Sequence, residues 1–134
     1  MVTGRDVFDI AMVLIDEQDP RTGRTDGSEN REYMVRSPGL LNLLMQEACE
    51  VCFHAGGIHA TRKVRDLGHA LDLDDRVCTG VLPYGLAGLL VMEENPRCSG
   101  ILLDTYKRLL ETFRRSSSGA THERIDNAYG GFEK

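Results

Sequence analysis

Nowhere in this sequence does an apolar run reach the uninterrupted length that crossing a bilayer requires, so no membrane span is expected. The first twenty residues have an apolar centre, but Arg5, Asp6 and Asp9 interrupt it and no small-residue cleavage site follows. A secretory leader is therefore not expected, and the chain reads as a cytosolic, soluble one. Basic charge is also short: 16 Lys and Arg stand against 21 Asp and Glu, a net charge of -5. That balance argues against a broad surface that grips phosphate backbones.

Catalytic signatures are missing as well. The sequence contains no G-x-S-x-G, no H-E-x-x-H, no phosphate-binding glycine loop and no dinucleotide fingerprint, so neither catalytic residues nor a cofactor are expected. His69, between Asp66 and Asp72, has no nucleophile motif to serve and reads as a surface histidine. In "DPRTGRTDGSE" the oxygen ligands do not fall at the spacing of a calcium loop. Cys49-x-x-Cys52 with His54 and His59 supplies the residue types of a zinc site. Structural zinc needs its ligand pairs on a converging turn, however, and both cysteines fall in a predicted helix, so no metal site is assigned. With no export signal, Cys49, Cys52, Cys78 and Cys98 read as reduced thiols used in packing.

At 134 residues, 41% hydrophobic and 28% charged, the chain suits one globular domain. The pattern is all-α, a small bundle of four to five helices. Thr3 caps a first helix that runs to about Asp16 and is apolar nearly all round. Asp19 to Gly27 is turn chemistry. Ser28 caps a short helix, and Ser37-Pro38 opens a longer one whose Leu40, Leu41, Leu44, Met45, Ala48 and Cys52 share a face. Residues 54–73, where Gly56-Gly57 breaks any helix, form a long central excursion that includes the small basic cluster Thr61 to Arg65.

Asp74 caps the next helix, which Pro83 interrupts. Within it Pro83, Gly85, Leu86, Gly88, Leu89 and Leu90 read as packing residues: the glycines admit a neighbouring backbone and the leucines form a seam. Asn95-Pro96 starts the last helix, apolar along Leu102, Tyr106, Leu109, Leu110 and Phe113 and charged on the other side, so the two helices form an antiparallel hairpin. After Arg115 the composition turns to Ser and Gly, which divides the chain into a helical domain, 1–115, and an extended carboxyl-terminal arm, 116–134.

"GRDVFDIAMVLIDE", "SENREYMVRSPGLLNLLMQE" and "LPYGLAGLLVMEENP" followed by "LLDTYKRLLETFRR" resemble the head-to-tail adaptor, or connector, subunits of long-tailed bacteriophages. The similarity spans roughly residues 3 to 115. It implies a non-enzymatic virion protein, assembled in the bacterial cytoplasm as a ring of copies, commonly twelve, below the portal. Such a ring extends the channel through which DNA passes and meets a downstream neck or stopper protein. It further implies that the arm reaches into the portal, a role carried here by Ile125, Tyr129, Gly130, Gly131 and Phe132. The Gly56-Gly57 excursion and Gly88, where a larger residue is common, depart from the pattern. Two alternatives stay open: another neck or tail-completion ring protein, and a small helical binding module with a metal site at Cys49, Cys52, His54 and His59.

Overall fold

The computed structural model describes residues 2–17, 20–54 and 63–126, with side chains outside 51–54 and 117–126. Helix α1 (Gly4–Leu14) begins where Thr3 and Asp6 exchange bonds: the Thr3 N–H donates to Asp6 Oδ2 at 2.9 Å, and the Asp6 N–H to Thr3 Oγ1 at 3.3 Å. The next two amides of the first turn are met from outside. Gly4 N–H donates to the His69 carbonyl (3.1 Å) and Arg5 N–H to that of Leu67 (2.7 Å). All four amides that an isolated helix start leaves open are thereby satisfied. At its other end Asp16 takes a left-handed conformation (φ 60°), and Glu17 N–H reaches back to the Met12 carbonyl at 2.7 Å, a Schellman-type stop.

Asn30, in the 3₁₀ turn Ser28–Asn30, then gathers the intervening loop. Its side-chain amide donates to the carbonyls of Glu17 and Thr25. Two helices expected in the next segment are one: α2 runs unbroken from Arg31 to His54 with Pro38 inside it. Proline removes one backbone bond from a helix interior. Here the buried Ser37 hydroxyl adds one nearby, donating to the Tyr33 carbonyl at 2.6 Å, and packing of Leu41, Leu44, Met45 and Ala48 holds the rest.

Asp74 caps α3 (Asp75–Gly80) by accepting from the Arg76 N–H, and its carboxyl is held below the usual range by the Arg76 guanidinium. The chain breaks at Val81 and restarts as α4 (Leu82–Leu90), so Pro83 falls in the first turn, where a missing N–H costs little. Asn95 caps α5 (Pro96–Asp126), its Oδ1 accepting from Cys98 N–H at 3.1 Å.

Contacts between α4 and α5 step in opposite directions: Gly88 faces Leu102 and Leu103, Gly85 faces Tyr106. The hairpin is antiparallel, as expected. Helix α4 touches α1, α2, α3 and α5 and forms the centre of the core. Among the described residues there is no strand, only an isolated bridge between Thr3 and Ala70, and no helix long and apolar enough to cross a membrane.

One boundary differs from expectation. Helix α5 does not stop at Arg115 but continues through Asp126, so the first part of the expected extended arm, including Ile125, is helical. Extending an existing helix needs no new nucleus, and serine costs only about half a kcal/mol per residue relative to alanine. Residues 127–134 lie outside the described residues.

Candidate functional site

The six residues read as packing residues lie on α4, within one chain. Pro83, Gly85, Leu86, Gly88 and Leu90 are buried and Leu89 is half-buried against the core. A Cβ on Gly85 would lie 2.8 Å from Leu44 of α2 and 2.9 Å from Tyr106 of α5; one on Gly88 would lie 2.7 Å from Leu103. The buried Ser99 hydroxyl closes the hairpin by donating to the Gly88 carbonyl at 2.7 Å. Glycine is what lets the three helices come this near.

Of the expected arm residues only Ile125 is described, by its backbone. Ile125 is on the backbone of α5, while Tyr129, Gly130, Gly131 and Phe132 lie outside the described residues. The alternative metal set divides similarly: Cys49 is half-buried on α2, the side chains of Cys52 and His54 are outside the described set, and so is His59. Among the described residues no group of three or more His, Cys, Asp or Glu could hold a metal ion.

His69 sits on an exposed turn, 3.8 Å from Asp66, with its Nδ1 accepting from the Arg65 N–H. The buried Cys78 thiol points to the Leu73 carbonyl at 3.7 Å. Of the basic cluster, Lys63 and Arg65 are exposed, and Val64 between them is buried. Asn42 of α2 clamps it on both sides, accepting from Val64 N–H (2.6 Å) and donating to its carbonyl (2.9 Å). That clamp fixes the return of the central excursion. Its two members are 22 residues apart, with no local pattern to announce them.

A cleft of about 400 Å³ lies between α1 and the loop at residues 23–26. Arg5 pairs with Asp9 (3.1 Å) and Asp26 (3.6 Å), Arg24 pairs with Asp26 (3.0 Å), and the buried Thr25 hydroxyl donates to Asp9 at 2.6 Å. Two guanidiniums and two carboxylates cancel, and the network ties the loop to α1. A second, acidic hollow gathers Glu29, Glu32, Glu93 and Glu94 around Tyr33 and Arg36. Tyr33 donates to Glu94 at 2.7 Å; removal from solvent and that carboxylate push its hydroxyl up to about 12. Tyr106 is raised too, chiefly by burial and then by Glu47, to which it donates at 2.9 Å.

What remains is surface. Val35 (75% exposed), Ile101 (63%) and Leu43 (61%) protrude from the outer faces of α2 and α5. Sequence reasoning did not single them out, because each has apolar sequence neighbours and exposure depends on which face of the helix the fold buries. The chain matches no protein-family model, no curated protein and no solved structure.

Proposed function

We propose that this chain is a non-catalytic assembly protein, a head-to-tail adaptor subunit of a bacteriophage virion. Copies would form a ring, twelve-fold in the usual case, between the portal and a downstream neck protein, around a channel that DNA traverses. The resemblance supports this, since its most specific part, "LPYGLAGLLVMEENP" with the following "Y-x-x-L-L" helix, coincides with the α4–α5 hairpin at the centre of the fold.

The observation that carries the reading is the reach of α5. Phe113 packs against the core and lies under the Arg76 guanidinium at 5.3 Å. The helix goes on thirteen residues to Asp126, about 20 Å at 1.5 Å per residue. A long terminal helix followed by Tyr129-Gly130-Gly131-Phe132 suits an element that enters a partner.

Truncation after Ser116 tests this. The truncated chain is expected to keep its melting temperature and lose attachment to its portal protein in co-sedimentation. A truncated chain that melts early would make the distal helix part of the fold, and one that still binds would place the portal contact elsewhere.

A further inference from the structure

We draw no further inference here: the strongest candidate, the acidic hollow of Glu29, Glu32, Glu93 and Glu94 between α2 and the turn before α5, is a cluster of carboxylates whose Tyr33 hydroxyl is already bonded to Glu94, so nothing in the structure points to a ligand there.

Discussion

Helix α4 and the outer faces of α2 and α5 treat apolar surface in opposite ways. α4 is apolar on every side, and its own chain covers most of it: Leu82, Leu86 and Ala87 have no exposed surface, Tyr84 and Leu89 are half-buried, and two glycines admit α2 and α5 to near contact. The outer faces carry few apolar groups, isolated among charges, and the chain leaves them open. A helix greasy all round is thus no sign by itself of a missing partner.

Truncation should separate the two regions most strongly. Leu86→Ala is expected to lower stability by about 2–5 kcal/mol by leaving a cavity, while Val35→Ala should stay within about 0.5 kcal/mol. Urea midpoints measure both, and equal losses would erase the distinction. Gly88→Leu comes next: a side chain grown toward Leu103 should cost about 1–3 kcal/mol through overpacking. An unchanged midpoint would mean the hairpin is looser than its geometry.

The stitch between α2 and the start of α5 shows a smaller effect, confined to alkaline pH. Tyr33 holds its proton more tightly folded than the unfolded value of about 10. Its contribution is whole below pH 10 and is lost as pH rises toward 12, because the unfolded chain releases the proton first. Tyr33→Phe should therefore make the decline of stability above pH 10 shallower, and parallel declines would remove Tyr33 as a cause. Smallest is Gly100→Ala, on the open face of α5, expected to stabilise by about 0.4–1 kcal/mol. A loss there would mean the face is already covered.

Local chemistry was legible in the sequence. Thr3 with Asp6, Asp74, the Pro83 interruption and Asn95-Pro96 each cap or break a helix through neighbours within four residues, and the structure has them where the sequence puts them. Gly85 and Gly88 announced close approach, although not that the approach is internal. Longer-range matters were not legible. Pro38 reads as a helix start, yet packing of the α2 core face outweighs one lost bond. The amides of α1 are met by carbonyls more than sixty residues away, and Val64 by an asparagine in another helix. Serines after Arg115 read as a linker, but a helix already formed extends through them. Nor could periodicity say that Val35 and Ile101 face outward, since exposure depends on which neighbours a helix acquires.

The mass of the intact full-length chain in solution, measured alone and with its portal protein, bears most directly on the assembly role. A closed multiple of the 14.9 kDa subunit is predicted, retained or completed on the portal. A single 14.9 kDa species under both conditions would contradict it.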